Sequence, residues 1–134
     1  MSNAVLDLLG PHIDSVEAIR SGLSVDKALE LGRLLELQEA ELAHLIGISH
    51  RTLLRHKQKK QALQPVTSDR VYRLARILAL AVDVFEDNLD VARTWLERPN
   101  RVLKGASPLE LLDTDAGAEQ VTQLLNRIEY GVYS

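Results

Sequence analysis

Only three residues, Gly47-Ile48-Ser49, separate two short stretches of helical apolar spacing, near 39–46 and 50–57, and a junction that tight leaves the backbone few courses. Helices joined so closely must cross steeply, as in a helix-turn-helix. The flanking residues match that crossing. Ala43 is small where the two helices touch, Gly47 can adopt the positive φ of a sharp turn, and Ile48 and Leu53 can plug the angle between the axes. Ser49 stands where its hydroxyl can cap the second helix.

The remaining periodic stretches also repeat at helical spacing, and period-two clusters of β-branched or aromatic residues are missing, so the chain reads as all-α. A short helix is expected around 16–21. Ser24 can cap the next, whose stripe is Ala28, Leu31 and Leu35, with Leu34 a further candidate. The stretch 59–67, with Gln61, Gln64 and Pro65, reads as a linker, because proline lacks a donor and disfavours helix at the residue before it. That divides the chain into an N-terminal region, 1–64, and a C-terminal module, 65–134.

The longest helix should start at a Thr67 or Ser68 cap and run to about Phe85. Val71, Leu74, Ala75, Leu78, Val82 and Phe85 form one stripe and Ile77, Leu80 and Val84 another, which suits a central element or a dimer interface. A helix over 89–97 carries Val91, Trp95 and Leu96, with Trp95 expected in the core, and Pro99 follows it. Ser107-Pro108-Leu109-Glu110 is a capping-box start for a short helix. The last helix, 115–129, lines up Val121, Leu124, Leu125 and Ile128 before Gly131.

With 46% hydrophobic and 26% charged residues, the 134-residue chain has the means to fold. It has no cysteine, hence no disulfide framework or thiolate metal site. A signal-peptide pattern and an apolar run of about 18 residues are both absent, which suggests the cytoplasm and no membrane.

A net charge of −3 argues against indiscriminate nucleic-acid binding, yet its distribution is uneven. Arg51, Arg55, Lys57, Lys59 and Lys60 share a segment without acids, whereas Glu110, Asp113, Asp115, Glu119 and Glu129 outnumber Arg127 near the end.

On a helix, Arg51 and Arg55 lie one turn apart, with Thr52 and His56 alongside and Ser49 and His50 at the start. That set suits base edges and phosphates in a major groove, and Lys57, Lys59 and Lys60 suit backbone phosphates. The plainer alternative is a helical hairpin with a solvated basic face; the coincidence of cap, turn glycine and clustered cations favours DNA. Dimerisation would double the few base pairs that one such helix reads. Arg70, Arg73 and Arg76 form a further basic row, read as a solvated or ion-paired face. His44, His50 and His56 recur at six-residue steps, about 240° of helix rotation, so they do not share a face and no metal site is expected. No phosphate loop, nucleophile elbow or singled-out carboxylate pair suggests an enzyme or a cofactor.

From Ser68 onward a longer pattern emerges: Ser68-Asp-Arg-Val-Tyr-Arg-Leu-Ala-Arg-Ile-Leu-Ala-Leu-Ala, Ala92-Arg-Thr-Trp-Leu, Pro99-Asn-Arg, Ser107-Pro-Leu-Glu-Leu-Leu and Leu125-Asn-Arg-Ile-Glu-Tyr-Gly-Val-Tyr. In this it resembles the Xre/MbcA/ParS-like antitoxins that pair with RES-domain toxins in type II toxin–antitoxin modules. The resemblance runs from about Val25 to the end. It implies an operator-binding, autoregulating N-terminal module and a C-terminal module that dimerises and holds an NAD-consuming RES toxin. It also implies that the C-terminal end covers the toxin's nucleotide pocket, a role falling on Glu129, Tyr130, Gly131, Val132 and Tyr133, with Arg127 beside them. Two tyrosines and a valine on a short terminal peptide have little local core to enter and suit an interface; folding back onto the last helix is the alternative. A rival reading is a free-standing helix-turn-helix regulator whose C-terminal half senses a small ligand.

Overall fold

The computed structural model of the chain describes Val5 and residues 15–131. Its helices are α1 (Ser15–Ser21), α2 (Val25–Leu34), α3 (Glu39–Leu45), α4 (His50–Lys59), α5 (Pro65–Val84), α6 (Leu89–Glu97) and α7 (Asp115–Glu129), with short 3-10 turns at Arg101–Leu103 and Leu109–Asp113. The architecture is all-α, as the spacing predicts. Two compact units divide it, one ending at Ala75 and the other beginning at Arg76. The division falls inside α5 rather than at the 64/65 junction expected from the sequence.

In the first unit the helix starts follow local chemistry. The Ser24 hydroxyl accepts from the Asp26 amide at 3.1 Å, and the Glu41 carboxylate reaches back to the Gln38 amide at 3.1 Å. Ala28, Leu31 and Leu35 of the expected stripe are buried, and α2 packs on both α3 and α4. Leu42, Ala43, Ile46 and Leu53 close the angle between α3 and α4.

The linker reading of 59–67 needs correction. The helix begins at Pro65 itself, because proline at a first helical position has no amide to satisfy and its φ is already helical. Neither Thr67 nor Ser68 is a cap; both are buried within α5. The Ser68 hydroxyl accepts from the Leu23 amide at 2.8 Å and lies 3.4 Å from the Leu63 carbonyl, to which it can donate. Leu63 in turn donates its amide to the Leu23 carbonyl at 2.8 Å, so the segment ahead of α5 is docked rather than free.

In the second unit, Ile77, Leu78 and Ala81 of α5 are buried, as are Ala92 and Leu96 of α6 and Val121, Leu124 and Leu125 of α7. Asn88 caps α6 through the Val91 amide at 3.1 Å. The Ser107–Glu110 capping box forms reciprocally: the Ser107 amide donates to Glu110 at 2.7 Å and the Glu110 amide to Ser107 at 3.2 Å. Thr114 caps α7 through the Gly117 amide at 3.0 Å.

Trp95 is not core. The buried stripe of α6 is Ala92 and Leu96, which turns Val91 and Trp95 outward. Trp95 lies half-buried against Phe85, ring centroids 5.8 Å apart, on an open cleft of about 450 Å³ lined also by Val91, Arg98 and Pro99. Among the described residues, no helix is long and apolar enough to cross a membrane.

Candidate functional site

The junction that opens the site is built as its residues require. Gly47 has φ +77°, in the left-handed region that disfavours side chains. Ser49 then caps α4, its hydroxyl accepting from the Thr52 amide at 3.0 Å and donating to the Thr52 hydroxyl at 2.9 Å. Lys60 ends the helix in the left-handed conformation, its amide donating to the His56 carbonyl.

Leu53, fully buried, anchors the inner face of α4 and so fixes which residues face out. Ser49, His50, Arg51, Arg55, Lys57, Lys59 and Lys60 are exposed and Thr52 is half-buried. The structure therefore brings Arg51 and Arg55 together on an open surface at the spacing expected.

His56 departs from that expectation. It lies three residues after Leu53 on the same inner face and is only 9% exposed, so it cannot line the outer surface with Arg51 and Arg55. Its Nδ1 is buried and has no hydrogen-bond partner among the described residues.

The remaining cations are not equivalent. The Lys57 ammonium lies 2.8 Å from the Glu39 carboxylate, and His50 approaches the same carboxylate at 3.9 Å. Arg51, Arg55, Lys59 and Lys60 have no such partner among the described residues. A Cβ at Gly47 would run into the guanidinium of Arg70, which thus lies against the turn, a placement that the local sequence pattern gave no means of finding.

At the other end, Arg127, Glu129 and Tyr130 are exposed at the close of α7, and Gly131 follows with φ +68°. Tyr130 is 78% exposed and so does not pack back onto the helix. Val132 and Tyr133, the other expected tail contacts, lie outside the described residues.

Comparison with known proteins bears on both regions. Residues 14–76 match the model of the antitoxin Xre-like helix-turn-helix domain, and residues 80–131 match that of the antitoxin Xre/MbcA/ParS C-terminal toxin-binding domain. The chain is 34% identical over 119 residues to an Antitoxin Xre of Yersinia enterocolitica, covering 89% of this chain and 80% of that one. It is 24% identical over 130 residues to the Prs ADP-ribosylating antitoxin of a Sphingobium species, covering 91% and 82%. Its fold is similar to a chain from the crystal structure of the M. tuberculosis MbcT-MbcA toxin–antitoxin complex, with TM-score 0.61, 23% identity and coverage of 82% and 96%.

Proposed function

The chain belongs to the Xre/MbcA/ParS family of type II antitoxins, and from that premise we propose that it neutralises a RES-domain, NAD-consuming toxin with its C-terminal end and represses its own operon through α4. The observation that carries the proposal is the exposed Tyr130 at the end of α7, within the segment matching a toxin-binding domain. An aromatic side chain left in water gains buried area on meeting a partner, and aromatic anchors dominate the energetics of such contacts.

The tail acts by occlusion: Tyr130, Gly131, Val132 and Tyr133 enter the toxin's nucleotide pocket, with Arg127 and Glu129 at its rim. This chain needs no chemistry of its own for that task. The name of the Sphingobium relative refers to ADP-ribosylation, a reaction that spends NAD, which supports an NAD-consuming toxin. On the DNA side, the outward cations of α4 meet operator phosphates and base edges, and pairing of two chains in the cytoplasm gives a two-fold reader matched to a palindromic site. Residues 80–131, the segment matching a toxin-binding domain, supply the toxin-binding and dimerising module.

The test is a chain ending at Glu129, co-expressed with the product of the adjacent gene. The expected result is unchanged helix content and DNA binding, with loss of toxin neutralisation and a fall in cellular NAD. Full protection of cells by the truncated chain would remove the occlusion mechanism.

A further inference from the structure

Arg70 lies near the start of α5, outside the segment where the outward cations of α4 are gathered. In sequence it belongs to a basic row with Arg73 and Arg76, and the fold distinguishes the three. Arg76 is exposed, Arg73 is engaged by another group, and Arg70 is half-buried. A Cβ placed on Gly47 would meet Arg70 Cζ at 2.9 Å and Cδ at 3.4 Å, so the outer half of the side chain runs across the backbone of the turn. Among the described residues, no hydrogen bond or ion pair holds its guanidinium.

A guanidinium carries five donors and no acceptor, and one held with its stem packed loses little rotamer freedom on meeting an anion. Gly47 precedes Arg51 by four residues, which bounds their Cα separation at about 14 Å. The major groove is about 12 Å wide. With Arg51 in the groove, a cation lying on Gly47 is within about one groove width of it, near enough to reach a phosphate of the groove wall. Lys57, the phosphate contact expected from sequence, is by contrast already engaged by Glu39.

We propose that Arg70 contacts a backbone phosphate beside the turn, setting the register of α4 on the duplex while Arg51 and Arg55 face the bases. The assignment rests on the reading of α4 as the DNA-binding face.

The experiment uses the full chain and a duplex spanning the DNA upstream of its own coding sequence, titrated between about 50 and 200 mM salt. Wild type, Arg70→Gln, Arg70→Lys and Arg51→Ala/Arg55→Ala are compared, with thermal melting of each protein alone. The expected result is that Arg70→Gln flattens the dependence of log K on log salt by about 0.9 per bound protomer and weakens binding, and that Arg70→Lys restores the slope. A wild-type slope for Arg70→Gln, while Arg51→Ala/Arg55→Ala abolishes binding, overturns the Arg70 assignment alone. If Arg70→Gln lowers the melting temperature, Arg70→Lys decides: a slope that stays flat in a stably folded Lys variant shows a role in supporting the turn and overturns the phosphate contact. Failure of wild type to bind the duplex removes the DNA-binding reading itself, and Arg70 with it.

Discussion

The Lys57 ammonium lies 2.8 Å from the carboxylate of Glu39, the first residue of the preceding helix, and that contact offsets one of the positive charges that α4 presents. Both side chains remain substantially exposed, so the pair contributes at most about 1 kcal/mol to stability. Its effect on binding is larger in kind, because a cation with its own counter-charge releases fewer ions from DNA. Glu39→Gln is expected to change the midpoint of urea unfolding little while steepening the salt dependence of DNA binding. Titration at two salt concentrations checks this; an unchanged slope would place Lys57 away from phosphate.

Among the described residues, the Ser68 hydroxyl is the acceptor of the buried Leu23 amide, at 2.8 Å, from a position 45 residues away. Ser68→Ala leaves that amide unsatisfied and is expected to cost about 1–3 kcal/mol. Urea unfolding of the variant measures it. A loss below a few tenths of a kcal/mol would mean that Leu23 finds another acceptor.

Gly117 reverses an ordinary rule. Replacing glycine by alanine inside a helix usually stabilises by about 0.5–1 kcal/mol. Here a Cβ would collide with the backbone carbonyl of Leu111, lying 2.8 Å from its carbon, and backbone cannot rotate aside as a side chain can. Gly117→Ala is therefore expected to destabilise by about 1–3 kcal/mol, the range of overpacking, and to weaken toxin neutralisation in proportion. A rise in melting temperature would show that the 3-10 turn shifts freely.

The inward His56 carries a buried Nδ1 with no partner among the described residues, and removing such an atom in favour of an apolar side chain of similar size is neutral or stabilising. His56→Leu is expected to hold or raise stability by about 1 kcal/mol and to leave DNA affinity within twofold. A large loss of affinity in a stable variant would restore His56 to the DNA-binding face.

Much of this arrangement is legible in the amino-acid order, for reasons that particular residues make clear. Ser24, Ser49 and the Ser107–Glu110 pair act within one helical turn, and local chemistry of that kind leaves a local signature. Ser68 is the same residue type put to a long-range use, which no short pattern distinguishes from a cap. The inward turn of His56 follows from its i+3 relation to Leu53 once helical phase is taken seriously. Likewise, Trp95 sits beside the Ala92–Leu96 stripe of α6 rather than on it. Arg70 meets Gly47 only through the fold, because the two are 23 positions apart with two helix starts between them, and the periodicity of neither helix records it.

Helix α5 begins in one compact unit and ends in the other, with Val71 and Leu74 buried before the division and Ile77 and Leu78 after it. A crossover between two such antitoxins made at this seam would have to leave one unbroken helix, because a proline there would remove a backbone donor and clash with the preceding turn. Exchanges of C-terminal halves are thus expected to tolerate substitution among helix-forming residues at the join and to fail where a helix breaker is left behind.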